Sequence, residues 1–155
     1  IDTLSVSRIS HPRDRICVGQ DLHVVVKTPS YGSGRISLSH RELLGTWQEN
    51  AALYSPGQTA AGVIRSIESY GVFVELTPNL AGLAEYKDGA EVGKSAAVYI
   101  KSIIRDKMKI KLVIIDTYPA DTAPIPINYF IKQGHIDYWR YSPAECSKLV
   151  ESVFA

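Results

Sequence analysis

Three lysines at alternate positions, Lys107, Lys109 and Lys111, place three ammonium groups on one side of an extended chain. Such a stripe can contact phosphates, or it can be a solvated strand face that discourages edge-to-edge aggregation. The charge around it is strongly uneven. Residues 93–112 carry six basic side chains against one acid, Asp106, a net +5. Residues 68–91 carry five acids (Glu68, Glu75, Glu85, Asp88, Glu91) against Lys87, a net −4. The overall charge of +1 is therefore a sum of opposed patches and by itself excludes no nucleic-acid partner.

Other candidate chemistry is weaker. Gly89-Ala90-Glu91-Val92-Gly93-Lys94-Ser95 has the look of a nucleotide-binding loop, but that motif requires Gly where Asp88 stands and a helix where a strand-like run follows. Gly32-Ser33-Gly34 reads as a hairpin turn. His11, His23, His40 and His135 lack metal-ligand spacing, so no metal site and no cofactor is expected. No nucleophile, base and acid can be grouped from spacing, and no catalytic role is expected. Tyr129, Phe130, Tyr138, Trp139 and Tyr141 fall within 13 residues. They could stack on bases, but packing of the tail against the core is the preferred reading.

The elements that would position these residues are short strands. Thr59 to Ile67 is β-branched and alternating, with Gly62 at a tight bend. Tyr70 to Leu76 follows, Thr77-Pro78-Asn79 turns the chain, and Leu80 to Ala84 is a brief third strand. Ala96 to Ile104 and Met108 to Ile115 form a hairpin around Arg105-Asp106-Lys107. Five short strands with no long helix predict a mainly β fold, a small closed OB-fold barrel. Ser39-His40-Arg41-Glu42 reads as a capping box opening a linker helix through Leu43, Leu44 and Trp47. Ser142-Pro143-Ala144-Glu145 reads as a second box opening a C-terminal helix through Leu149, Val150 and Val153. Pro119 to Pro126 holds four prolines and reads as an extended connector.

The sequence also repeats itself. Residues 18–38 align without a gap on residues 92–112, an offset of 74, with 6 of 21 positions identical: Val18/Val92, Gly19/Gly93, Val24/Val98, Lys27/Lys101, Ile36/Ile110 and Leu38/Leu112. The second copy has about 35 residues before its Val-Gly pair and the first only 17, so the first copy is incomplete. The expected organisation is half a repeat over residues 1–45, a helical linker over 46–57, a complete barrel over 58–117 and a proline- and aromatic-rich tail over 118–155. The strands Leu22–Lys27 and Arg35–Leu38 of the half repeat are expected to pair with the complete barrel or with another chain, because open strand edges are otherwise left bare. The 155 residues are expected to be a piece of a longer chain. Cys17 and Cys146 make no disulfide framework, which favours a reducing compartment. No apolar run approaches the roughly 18 residues that would predict a membrane span.

The run Gly62-Val63-Ile64-Arg65-Ser66-Ile67, then Tyr70-Gly71-Val72-Phe73-Val74-Glu75-Leu76, then Gly82-Leu83, resembles the RNA-binding repeat of ribosomal protein S-one. Arg35-Ile36-Ser37-Leu38-Ser39 is similar to the last strand of that repeat, and residues 4–12 to the segment between its third and fourth strands. The resemblance covers roughly residues 4–45 and 58–115. It implies an OB-fold that binds single-stranded RNA by stacking bases and tracking phosphates, with Tyr70 and Phe73 as stacking residues. Arg65, Lys101, Lys109 and Lys111 would contact phosphates. Where the family usually carries His after its Gly-Leu-Val, this chain has Glu85, whose carboxylate repels phosphate. The resemblance further implies a non-catalytic protein of the bacterial cytoplasm acting in translation or on mRNA, with the small ribosomal subunit as a partner and no membrane. Two alternatives are a degenerate barrel serving as a protein-interaction module and an RNA-anchoring domain of a larger enzyme.

Overall fold

The computed structural model describes residues 3–29, 36–119 and 127–154. The turn expected at Gly32-Ser33-Gly34 and most of the proline connector lie outside them. Five strands close into a barrel: β3 (Thr59–Glu68), β4 (Gly71–Thr77), β5 (Leu80–Ala84), β6 (Ser95–Ile104) and β7 (Lys109–Tyr118), in the order β3-β4-β5-β7-β6. β5 and β7 run parallel and the other neighbours are antiparallel. This is the expected OB-type barrel.

Period-two alternation builds its interior. Ile64, Val72, Val74, Leu76, Leu80, Val98, Ile100, Ile110, Leu112 and Ile114 point inward and are buried. Their outward neighbours on β7, Lys109, Lys111, Val113 and Ile115, are exposed. Gly62 lets two strands approach closely, for a Cβ there would lie 2.6 Å from both the Glu75 carbonyl oxygen and Val74 Cγ1. Lys107 does not join the strand: residues 105–108 form the hairpin turn, with Met108 at φ 49°, so the lysine stripe on β7 is Lys109 and Lys111.

β1 (Val25–Pro29) and β2 (Ile36–Ser39) form a separate two-stranded antiparallel sheet. The expected pairing of these strands with the complete barrel does not occur: they hydrogen-bond to each other, and Val24, Val26, Ile36 and Leu38 stay exposed. Contacts with the barrel are made instead by the segments before and after them, the latter through the Arg41 and Gly45 carbonyls, which accept from Asn79. Val6 N donates to Asn79 Oδ1 at 2.9 Å and Ser7 N to the Pro78 carbonyl at 3.3 Å.

Both expected helices are revised. Ser39 and Glu42 bond each other side chain to side chain, and the chain makes only a 3-10 turn over Arg41–Leu44. The linker helix α1 spans Trp47–Ala51 and is opened by a different capping box, in which Thr46 Oγ1 accepts from Glu49 N at 3.1 Å and Glu49 Oε1 accepts from Thr46 N at 3.0 Å. The expected C-terminal helix is absent. Ser142 Oγ accepts from Val150 N at 3.1 Å rather than from a neighbour within a helical turn. Arg140 holds the Ser142 and Pro143 carbonyls at 3.0 and 3.2 Å. The chain then pairs as β8 (Tyr138–Arg140) with β9 (Glu151–Val153). Local capping signals lost here to tertiary hydrogen bonds.

The expected packing of the aromatic tail is met at Trp139 and Tyr141, while Phe130 and Tyr138 stay exposed. Trp139 and Tyr141 belong to the buried core cluster, and the Tyr141 hydroxyl donates to the Asn79 carbonyl. Trp47 N donates to the Tyr141 carbonyl at 3.0 Å and Phe130 N to the Leu43 carbonyl at 2.9 Å. Tyr138 stays on the surface, where its hydroxyl donates to Glu151 at 2.6 Å.

Candidate nucleic-acid interface

Register places the candidate residues on the barrel's outer face. Phe73 on β4 lies opposite Leu83 on β5, and Leu83 lies beside Lys111 on β7. Neighbouring strands are about 4.8 Å apart, so this row runs roughly 10 Å from an aromatic ring position to an ammonium stem. Phe73 is half-buried, pointing out because Val72 and Val74 take the core. Tyr70, 67% exposed in the turn before β4, meets it edge to face, with ring centroids 6.0 Å apart and planes at 85°. Two rings at right angles, one exposed and one half-buried, offer faces for bases in a single strand, and each stacked base is worth about 1–3 kcal/mol.

Lys109 stands two residues before Lys111 on the same side of β7. Lys101 is exposed on β6, in a bulge between the pairs Ile100–Leu112 and Ser102–Lys111, beside Lys111 but out of register with it. Among the described residues none of these three lysines forms a salt bridge.

Arg65 stands apart from this group. It sits in a β3 bulge and donates from Nε to Glu75 Oε2 at 2.7 Å and from Nη2 to the Asp14 carbonyl at 3.3 Å. The other Glu75 oxygen is engaged by Arg15, which is 2% exposed and also donates to Ser5 Oγ at 3.3 Å from both Nε and Nη2. Arg15 reaches that position through a 3-10 turn over Pro12–Asp14. There His11 Nδ1 accepts from Arg13 N at 3.1 Å, while Asp14 Oδ2 accepts from His11 N at 3.1 Å. Glu75 thus joins two arginines and ties the N-terminal segment to the barrel. The sequence did not name the partners of Glu75, because Arg15 lies 60 residues away. A carboxylate inside the apolar run Val72-Phe73-Val74-Glu75-Leu76 was the available signal that something must neutralise it.

A second feature not legible in sequence is the buried His40. Its Nδ1 faces the Leu4 carbonyl at 2.7 Å and its Nε2 faces the Tyr129 hydroxyl at 2.9 Å, so a neutral ring donating from Nδ1 satisfies both. Burial pushes the His40 pKa down from its ordinary value. Tyr129 also accepts from His23 N at 3.2 Å. Among the described residues no group of three or more His, Cys, Asp or Glu is placed to hold a metal, and no helix is long and apolar enough to cross a membrane.

No family model matches the chain. Among curated proteins it is similar to small ribosomal subunit protein bS1 of Rhizobium meliloti, 27% identical over 114 residues that cover 73% of this chain and 20% of that protein. It is similar to bS1 of Rhodopseudomonas palustris, 26% identical over 133 residues covering 85% and 23%. To the bS1 homolog of Bacillus subtilis it is 34% identical over 84 residues covering 54% and 22%. The chain therefore spans about a fifth of the length of these relatives. An uncharacterised protein from Methanocaldococcus jannaschii overlaps it with a TM-score of 0.36 at 26% identity, over 38% of this chain and 89% of that one. The closed β3-β4-β5-β7-β6 barrel and the bS1 relatives matched over most of the chain together fit an S-one-type OB-fold domain.

Proposed function

We propose that this chain binds single-stranded RNA on the outer face of its barrel. Bases stack on Tyr70 and Phe73, and phosphates run along Lys111, Lys109 and Lys101. The observation that carries this reading is the Phe73–Leu83–Lys111 row with Tyr70 edge-on to Phe73, which sets a stacking platform beside cations. Arg65 is not in the contact set, because Glu75 and Asp14 occupy it. The protein acts without catalysis, in translation or mRNA handling at the small ribosomal subunit in the cytoplasm, which the names of its bS1 relatives support. Residues 1–45 are the later half of a second S-one-type repeat and residues 46–57 a linker, and within the tail of residues 118–155 the described residues 127–154 bond to that half through Tyr129, Phe130 and Ser152.

A second reading as a protein-interaction module is favoured by one observation. Tyr99 and Val113, paired across β6 and β7, are 40% and 46% exposed on the outer surface. Fluorescence anisotropy with a labelled single-stranded RNA at two salt concentrations separates the two. The RNA reading expects affinity that falls with salt and drops roughly 5- to 100-fold in Phe73→Ala. No binding at low salt, or a Phe73→Ala variant that binds like the parent, favours the interaction module.

A further inference from the structure

Two acids flank Gly71 on the binding face with no cation among the described residues, Glu68 from β3 and Glu85 from the end of β5, and Glu85 is the one on the side of the lysines. Glu75, two residues past Phe73 on β4, is consumed by Arg15 and Arg65. Glu85 is exposed, and among the described residues no salt bridge or hydrogen bond engages its carboxylate. It follows β5 directly, two residues past Leu83, hence about 7 Å further along the strand direction. The register Phe73–Leu83 and Val72–Ala84, continued by one step, brings Glu85 opposite Gly71, between the positions of Tyr70 and Val72. No side chain rises from Gly71. The space a Cβ would take there is filled by the Ala84 carbonyl at 2.6 Å and by Leu83 Cδ1 at 2.9 Å, so Leu83 forms an apolar floor between Phe73 and the carboxylate.

The face is therefore polarised. Lysines line its β7 side, where phosphates are held, and a free carboxylate stands at the edge of the aromatic platform. β5 and β7 run parallel with Leu83 beside Lys111, so Glu85 lies ahead of that row and Lys109 behind it. A base stacked on Phe73 or Tyr70 with its phosphate toward Lys109 and Lys111 can turn its Watson–Crick edge along the strand direction toward Glu85, and that edge is open in single-stranded RNA. An ionised carboxylate only accepts hydrogen bonds, through two oxygens side by side. Guanine alone among the four bases presents two adjacent donors on this edge, N1–H and the 2-amino group. Cytosine and adenine present one amino donor beside a ring nitrogen whose lone pair repels the second oxygen. Uracil presents one N–H between two carbonyls.

We propose that Glu85 makes this face a guanine-reading site within single-stranded RNA. The charge that weakens non-specific phosphate binding is the charge that selects the base. The inference rests on the RNA-binding reading above and adds to it which base is preferred.

The test uses the 155-residue chain and three labelled octamers: all uridine, uridine with one central guanosine, and the same with inosine, which lacks the 2-amino group. Anisotropy is read at low salt for the parent protein and for Glu85→Gln, a variant of equal size without the charge. The expected order is guanosine, then inosine, then uridine, with guanosine bound about 5- to 20-fold more tightly than uridine, as one good bidentate pair provides. Glu85→Gln is expected to bind all three more tightly than the parent binds all-uridine RNA, and to compress their spread to about twofold. Equal binding of the three octamers by the parent overturns the guanine assignment and leaves RNA binding standing. A preference that survives in Glu85→Gln overturns the role of Glu85. Absence of binding by every octamer overturns both readings.

Discussion

Glu75→Gln keeps the volume of the side chain and removes its charge, leaving Arg15 in place with no anion. Arg15 is 2% exposed and Glu75 is fully covered, so the guanidinium cannot turn to water without pulling the N-terminal segment off the barrel. Removing one partner of a buried pair typically costs about 3–5 kcal/mol, and the retained amide oxygen of Gln, still able to accept from one arginine, places this variant at the lower end, about 3 kcal/mol. Arg65 adds little, since its partly exposed side chain can be rehydrated. For a chain of 155 residues a loss of that size lowers the midpoint of thermal unfolding by about 6–12 °C. Urea unfolding of the parent, Glu75→Gln, Arg15→Met and the double variant completes the cycle. Replacing both charges by uncharged groups should recover most of the loss, because an apolar substitute for a buried pair is often nearly neutral. A Glu75→Gln variant within about 1 kcal/mol of the parent, or a double variant whose losses simply add, would refute the claim that this clamp holds the segment to the barrel.

Asn79→Ala should also detach that segment. The Asn79 side chain accepts from Val6 N at 2.9 Å and donates to the Arg41 and Gly45 carbonyls at 2.8 and 2.9 Å, so its removal orphans three backbone groups at a cost of about 2–4 kcal/mol. Limited trypsin digestion should then cut faster at Arg8 or Arg13, and unchanged cleavage would count against the contact. His40 gives the protein a pH dependence. Its folded pKa lies below the unfolded value of about 6.5, so its contribution is flat above that pH. As pH falls from about 6.5 toward the folded pKa, the unfolded chain takes up a proton that the folded chain refuses, and stability drops. Arg15 opposes protonation and Glu42 favours it. Urea midpoints at pH 7.5 and 5.5 should shift further in the parent than in His40→Gln, and equal shifts would show that His40 is not the sensor.

The barrel was legible before any coordinates. Alternation within β3, β4, β6 and β7 depends only on which side chains must leave water, so Val72, Val74, Ile110 and Leu112 read as core and Phe73, Lys109 and Lys111 as outer face. The S-one-type motif was legible for the same reason, being carried by glycines and strand residues close together in the chain. Tertiary structure decided what depends on distant partners. The Ser142-Pro143-Ala144-Glu145 box spells a helix start, yet a hydrogen bond from Val150 and pairing with Tyr138–Arg140 turned residues 151–153 into a strand. Arg65 looked like a phosphate contact until Glu75 occupied it, and Glu75 itself could not be understood without Arg15. Local propensities are worth about 1 kcal/mol per residue or less, and a buried charge or an unmet backbone group costs more. Where the two conflicted, the partner brought in from far along the chain prevailed.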